Sequence, residues 1–275
     1  MKNRTIAFIG GGNMASSLIG GLIAGGWPAE AIRVAEPFAE KRQSLAAQFG
    51  VFITADNNEA VAGAQVVVLA VKPAVVIGVV HEIGAAVRSQ ASLVVSIAAG
   101  VREPDIRRWL GFEASVVRAM PNAPALVGSG ATGLFANASV SQAQRDLAES
   151  ILRAVGMVLW VREEAMMDAV TALSGSGPAY FFLLMELLEE AAYRLGLEPE
   201  TTRLLTLETA FGAAKMALES SDDPAMLRQR VTSPGGTTER AIQRLERGGI
   251  RDLVASALEA ARDRSAEIGN ELGSG

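Results

Sequence analysis

The chain contains no cysteine and one histidine in 275 residues. Without thiols it has no disulfide, no thiolate nucleophile and no thiolate-bound metal. His81 lies in a segment of helical period with no metal-binding residues arrayed around it, so a solvated helix position is the reading. The sequence shows neither a metal-ligand cluster nor a serine-protease-like triad, and no metal is expected. Long apolar runs are also missing. The amino-terminal run stops at Gly10, too soon for a signal peptide. The apolar stretch Pro178–Leu195 is broken by Glu186, Glu189, Glu190 and Arg194, which argues for a buried helix and against a membrane span. A formal charge of −5 with acids and bases interspersed lacks the footprint of a nucleic-acid binder, leaving a small molecule as the expected partner. There is no internal repeat and no low-complexity segment. A cytoplasmic location fits the absence of thiols and of a leader.

What is present is enough apolar residue, 49%, to bury two cores, and a length that suits two domains. From Thr5 to about Trp160, short β-branched runs alternate with helical patterns. Thr5–Ile9, Arg33–Ala35, Val51–Thr54, Val66–Ala70, Leu93–Ser96 and Val116–Arg118 read as strands, several of them continuous in Val, Ile and Leu as strands buried on both faces should be. Met14–Ala24, Ala39–Phe49 and Val75–Val87 read as helices between them, and a helix through Ala143, Leu147, Ile151 and Val155 leads to a last strand over Gly156–Val161. This alternation predicts an α/β Rossmann-type parallel sheet over residues 1–163, with its ligand crevice at the carboxyl ends of the strands. From Glu164 onward no β-branched run recurs, and an all-α domain is predicted over residues 164–275, its tail Gly269–Gly275 frayed. The segment Pro178–Leu195 carries Phe181, Phe182, Leu183, Leu184, Leu187 and Leu188 around most of its circumference, more than one packing face requires, so self-association through this domain is expected.

Gly10, Gly12 and Ala15 stand at the spacing of the dinucleotide fingerprint, after the first strand and before a helix. Gly10 permits the tight turn, Gly12 the approach of backbone to a pyrophosphate, and Ala15 close helix packing. An acid some 20 residues onward completes that fingerprint by binding the adenosine ribose. Glu36 fits, and a carboxylate there repels a 2′-phosphate; Lys41 and Arg42 lie close enough to compensate, and a solvated turn residue is the competing reading. Two more strand ends are furnished for a cofactor: Ala70-Val71-Lys72-Pro73, and Ser96 to Gly100, whose small residues would let a flat nicotinamide lie against backbone. In the second half, Val231 to Thr238 forms a rigid turn with hydroxyls at Ser233, Thr237 and Thr238 and bare backbone at Gly235 and Gly236. It reads equally as a carboxylate cradle or as an interhelical loop with a hydroxyl cap at Thr237 or Thr238. Leu173-Ser-Gly-Ser-Gly-Pro178 is explained by helix capping.

Taken in order, Phe8-Ile-Gly-Gly-Gly-Asn-Met-Ala15, Ala70-Val-Lys-Pro73, Ser96-Ile-Ala-Ala-Gly-Val101, Arg118-Ala-Met-Pro-Asn122, Leu173-Ser-Gly-Ser-Gly-Pro-Ala-Tyr180 and Val231-Thr-Ser-Pro-Gly-Gly-Thr-Thr238 resemble the pyrroline-5-carboxylate reductase family across essentially the whole chain. The resemblance implies NADPH or NADH as cofactor, 1-pyrroline-5-carboxylate as substrate, and a helical domain that interlocks into a homodimer, with dimers often joined into rings. It places the cofactor on Ile9, Gly10, Gly11, Gly12, Asn13, Met14, Asn57, Ala70, Val71, Lys72, Pro73, Ala98, Ala99 and Gly100. It places the substrate carboxylate on Ser233, Gly235, Gly236, Thr237 and Thr238, with the Thr238 hydroxyl near the ring nitrogen. Glu36 departs from the small polar residue often found in relatives that prefer NADPH. Two other readings stay open: a related imine or hydroxy-acid dehydrogenase, for which Lys215 is the only lysine in the helical half, and a non-catalytic dinucleotide sensor.

Overall fold

The computed structural model describes residues 4–274. Eight strands form one sheet: β1 (Ile6–Ile9), β2 (Ile32–Ala35), β3 (Phe52–Thr54), β4 (Val66–Leu69), β5 (Leu93–Ser96), β6 (Val116–Met120), β7 (Gly130–Ala136) and β8 (Gly156–Trp160). Their spatial order is β3-β2-β1-β4-β5-β6-β7-β8. The first six run parallel, with β1 in register against β2 on one side and β4 on the other. β7 then turns antiparallel to β6, and β8 follows it in parallel. The chain therefore departs from the expected all-parallel sheet at a strand that periodicity misses. β7 reads Gly-Ala-Thr-Gly-Leu-Phe-Ala, with no β-branched run, and it is held by its neighbours rather than by its own propensity.

Alternate residues of each central strand enter opposite cores, as a two-residue side-chain period demands. Ile6, Phe8, Val66 and Val68 pack on one face with Leu18, Ile19 and Leu147. Ala7, Ile9, Val67 and Leu69 pack on the other with Val80, Ile83 and Ile106. Phe8 is wholly buried, a burial that contributes roughly 1.5–3 kcal/mol. The helices that supply these faces are α1 (Asn13–Ala24), α2 (Ala39–Phe49), α3 (Asn57–Val61), α4 (Val76–Gln90), α5 (Glu103–Leu110) and α6 (Gln142–Leu152). α6 opens with a complete capping box between Ser141 and Gln144.

Six helices follow among the described residues: α7 (Met166–Val170), α8 (Gly177–Arg194), α9 (Pro199–Glu219), α10 (Pro224–Arg230), α11 (Thr237–Arg247) and α12 (Ile250–Gly273). The packing units divide elsewhere than the composition does. Residues 1–176 and 260–275 form one, and residues 177–259 the other, whereas the change from strands to helices falls at 163/164. That change marks a switch of secondary structure, not of packing partner. Buried Arg118 on β6 reaches Glu164 at 2.6 Å, and Ser265 on α12 donates to Asp168 on α7 at 2.7 Å. Arg102 donates to Asn270 and to the Ala266 carbonyl, and Arg108 to the Gly273 carbonyl at 2.6 Å. These bonds hold residues 269–273 as ordered helix, correcting the expectation of a frayed tail; Gly275 lies outside the described residues.

The unit 177–259 is short of interior. Among its described residues only Gly177 and Thr202 are buried, while Phe181, Phe182 and Phe211 are each about two-thirds exposed. No helix among the described residues is long and apolar enough to cross a membrane.

Candidate active site

The fingerprint turn joins β1 to α1. Gly10 has φ +98°, and its N–H donates to the Ala35 carbonyl at 2.8 Å. A Cβ added at Gly10 would lie 2.6 Å from the Ala70 carbonyl oxygen, so the tight-turn role is steric as well as conformational. Gly11 is packed just as closely, against Leu45, and its N–H donates to Glu36 Oε2 at 2.9 Å. At Gly12 an added Cβ would meet nothing within 4 Å. Gly12 is the N-cap of α1, with no side chain capping the helix and no acid in its first turn. The leading N–H groups of α1 thus have no partner inside the helix and open onto space that a side chain would fill. That combination fits a pyrophosphate. Ala15 is buried, consistent with close packing of α1 on the sheet.

The other residues expected to meet a cofactor lie at the carboxyl ends of β2, β3, β4 and β5, the crevice side of such a sheet. Glu36 follows β2 and is 4% exposed, which corrects the solvated-turn reading. Its Oε1 accepts the Phe38 N–H at 3.1 Å, while Arg42 Nη1 donates to the Glu36 and Pro37 carbonyls rather than to the carboxylate. Asn57 opens α3 and donates to Glu82 at 2.7 Å. After β4, Ala70, Val71 and Pro73 are half-buried and Lys72 is exposed, with Pro73 starting a 3-10 turn. After β5, Ala98 is buried and Ala99 exposed. Gly100, at φ +77°, is small for a reason other than a flat ring: a Cβ there would lie 2.6 Å from Ile268 on α12.

A cleft of about 310 Å³ opens between Pro73, Ala99 and Gly100 on one side and Thr171, Ser176 and Ser265 on the other. The last three escaped the sequence reading, which explained Leu173–Pro178 by capping alone. Residues Thr171–Gly175 form a π-helical turn, a distortion that recurs at functional sites. It is locked by the Asn122 side chain, which donates to the Ser174 carbonyl at 3.0 Å, and by Gly175, whose missing Cβ leaves room for Met120. Asn122 ends the segment Arg118-Ala-Met-Pro-Asn122, one of those that carry the family resemblance, and that segment was the signal available in the sequence.

In the unit 177–259, Ser233 to Thr238 form a turn closed by the Gly236 N–H donating to the Ser233 carbonyl at 3.0 Å, with Gly235 at φ +72°. The N-cap of α11 is Gly236, and no side chain caps the helix, so the hydroxyl-cap reading of Thr237 or Thr238 does not hold. Those two residues begin the helix, and their N–H groups have no acceptor within it. The Gly235 N–H is already taken by Glu239 Oε2 at 2.8 Å, a contact the sequence did not reveal. No group of three His, Cys, Asp or Glu side chains able to hold a metal occurs among the described residues. Lys215 is exposed and lies 3.9 Å from Glu219.

Two family models match the chain: one described as NADP oxidoreductase, coenzyme F420-dependent, over residues 5–100, and one described as pyrroline-5-carboxylate reductase dimerisation over residues 164–268. The pyrroline-5-carboxylate reductase of Pseudomonas aeruginosa is 53% identical over 99% of this chain and 100% of its own length. That of Pasteurella multocida is 43% identical over 98% of each. Among solved structures, a pyrroline-5-carboxylate reductase from Coxiella burnetii superposes with a TM-score of 0.94 at 50% identity, covering 97% of this chain and 98% of that one. The Plasmodium falciparum pyrroline carboxylate reductase, solved with NADP bound, gives a TM-score of 0.86 at 29% identity over 98% and 99%.

Proposed function

We infer the activity from one premise, that the chain belongs to the pyrroline-5-carboxylate reductase family. It is an NAD(P)H-dependent oxidoreductase that reduces 1-pyrroline-5-carboxylate to proline. The observation in this chain that carries the cofactor half of that reading is the uncapped start of α1 behind Gly12, where space and unpaired N–H groups coincide. The bound dinucleotide supplies the hydride.

The assignment of roles to residues is our proposal. Residues 1–163 hold the dinucleotide, with Ile9 to Met14 at the pyrophosphate, Glu36 and Asn57 towards the adenosine half, and Ala70 to Pro73 and Ala98 to Gly100 towards the nicotinamide half. Residues 164–275 bind the substrate and dimerise. The substrate carboxylate rests on the backbone N–H groups and hydroxyls of Thr237 and Thr238, within the turn shaped by Ser233, Gly235 and Gly236. The Thr238 hydroxyl lies at the ring nitrogen. A protonated imine is already electrophilic, so the protein's main task is to align the reactants and exclude water. Alignment alone contributes on the order of 7–11 kcal/mol, and no strong acid or base is needed from the side chains. The Thr238 hydroxyl holds the nitrogen and relays a proton supplied by substrate or water, being too weak an acid to do more unaided.

The active particle is a homodimer, with dimers joined into a ring, working in the cytoplasm. What supports self-association is the apolar surface of residues 177–259 together with the match to a dimerisation family. The test of the activity is consumption of NADH and NADPH with pyrroline-5-carboxylate, with proline identified as product. Binding of dinucleotide without turnover of either donor would instead mark a sensor.

A further inference from the structure

We propose that Glu239 is the positioning residue of the substrate turn, clasping the Gly235 N–H and so setting the backbone donors of Thr237 and Thr238 in place for the substrate carboxylate. The inference rests on the reading of that turn given above. It concerns the third residue of α11, which lies just beyond the segment Val231–Thr238 that carries the family resemblance.

The turn has little of its own to hold its shape. Gly235, at φ +72°, stands in open space, where an added Cβ would meet nothing within 4 Å, and Gly236 beside it brings no side chain either. Fixing two adjacent glycines costs more conformational entropy than fixing any other pair. Two hydrogen bonds meet that cost. The Gly236 N–H donates to the Ser233 carbonyl at 3.0 Å and closes the turn on itself, while the Gly235 N–H donates to Glu239 Oε2 at 2.8 Å and ties the turn to α11. No side chain at the N-cap can supply the second bond, because the N-cap is Gly236. With both glycine N–H groups spent inside the turn, the next donors along the chain are those of Thr237 and Thr238, which have no acceptor within the helix.

The same carboxylate has an opposing effect. It lies in the first turn of α11, where the helix dipole favours it and where an arriving substrate carboxylate meets a like charge. The arginines of α10 do not cancel that charge, since Arg228 pairs with Glu246 and Arg230 with Asp222. The clasp thus strengthens binding by preorganising the seat, and the charge weakens it. A glutamate that served only to stabilise the helix would alter folding and leave substrate affinity alone.

Steady-state kinetics of the full chain with pyrroline-5-carboxylate, at saturating dinucleotide, test this. Glu239→Ala removes the clasp and should raise KM by about fivefold or more while kcat stays within about twofold, as loss of binding alone requires. Glu239→Gln keeps an acceptor for the Gly235 N–H without the charge, and should return KM to the parent value or below it. A KM in Glu239→Ala within about twofold of the parent, a rise in Glu239→Gln equal to that in Glu239→Ala, or a loss expressed mainly in kcat would overturn the proposal. Hydrogen exchange over residues 233–238, read by mass spectrometry without substrate, checks the clasp itself. Slow exchange in the unaltered protein and in Glu239→Gln, and fast exchange in Glu239→Ala, is expected; equal exchange in all three overturns it. Should the unaltered protein consume neither NADH nor NADPH with pyrroline-5-carboxylate, the reductase reading falls, and the exchange comparison still decides the clasp.

Discussion

A Cβ on Gly10 would stand 2.6 Å from the carbonyl oxygen of Ala70, whereas one on Gly12, two residues along the same turn, would touch nothing within 4 Å. The first glycine is needed by the fold and the second by whatever lies outside it. Gly10→Ala should destabilise the protein by about 1–3 kcal/mol, since it adds a contact inside van der Waals distance at φ +98°. Gly12→Val should change stability by only about 1 kcal/mol or less yet abolish measurable dinucleotide binding. Urea unfolding and calorimetry on both variants separate the two roles. A Gly12→Val protein that binds dinucleotide normally would move the pyrophosphate elsewhere.

Thr238→Ala should lower kcat strongly, by about a hundredfold or more as expected for loss of a positioned proton carrier. Dinucleotide affinity should stay unchanged. Thr238 stands in the second position of α11, where its hydroxyl is not spent on capping. Parallel loss of turnover and of dinucleotide affinity would point to a general disturbance of the helical unit and remove Thr238 from the reacting atoms.

Glu103 offers a pH test of the sheet unit. Burial raises its pKa above 4.5, opposed by the hydrogen bond from Asn137 and the charge of Arg107. The folded state therefore holds the proton more tightly than the unfolded state. The resulting stability is fully present below pH 4.5 and is lost as pH rises through the raised folded value. At neutral pH the buried carboxylate is a net cost. Glu103→Gln, whose amide oxygen can still accept from Asn137, should gain most relative to the parent near neutral pH and lose that advantage on acidification. Denaturant midpoints of both proteins across the range check it; a difference independent of pH would show that Glu103 is not the group responsible.

Self-association predicts a thermal midpoint that falls on dilution, because folding of the exposed apolar helices is then linked to assembly. Phe211→Asp, at a position 65% exposed in the single chain, should yield monomers with reduced helicity. A monomeric mass for the unaltered protein at micromolar concentration, read by light scattering, would remove the homodimer.

Much of this architecture was legible in the sequence because several central strands are runs of Val, Ile and Leu, as strands buried on both faces are written, and helical patterns separate them. β7 was not, since two glycines and two alanines give it no β signal, and its place comes from β6 and β8. The fingerprint glycines were legible as a spacing, but their separate duties were not. Contacts with Ala70, Leu45 and open space distinguish them, and those partners lie far along the chain. For the same reason the packing of Gly100 against Ile268 was not legible. The π turn at Thr171–Gly175 carries no periodicity of its own and reads as a helix cap until Asn122 and Met120 are seen against it.

Residues 260–274 complete the sheet unit from the far end of the chain, laying Ile268 on Gly100 and giving Arg102 and Arg108 their acceptors. On the ribosome they emerge only after the whole of 177–259 has been made. The nascent sheet must wait for them with the seat of Ile268 bare, so this protein cannot finish its first body before translation has passed through its second. Its maturation is tied to the synthesis of residues 260–274, and chaperone contact during that interval should centre on the surface around Gly100 and α5.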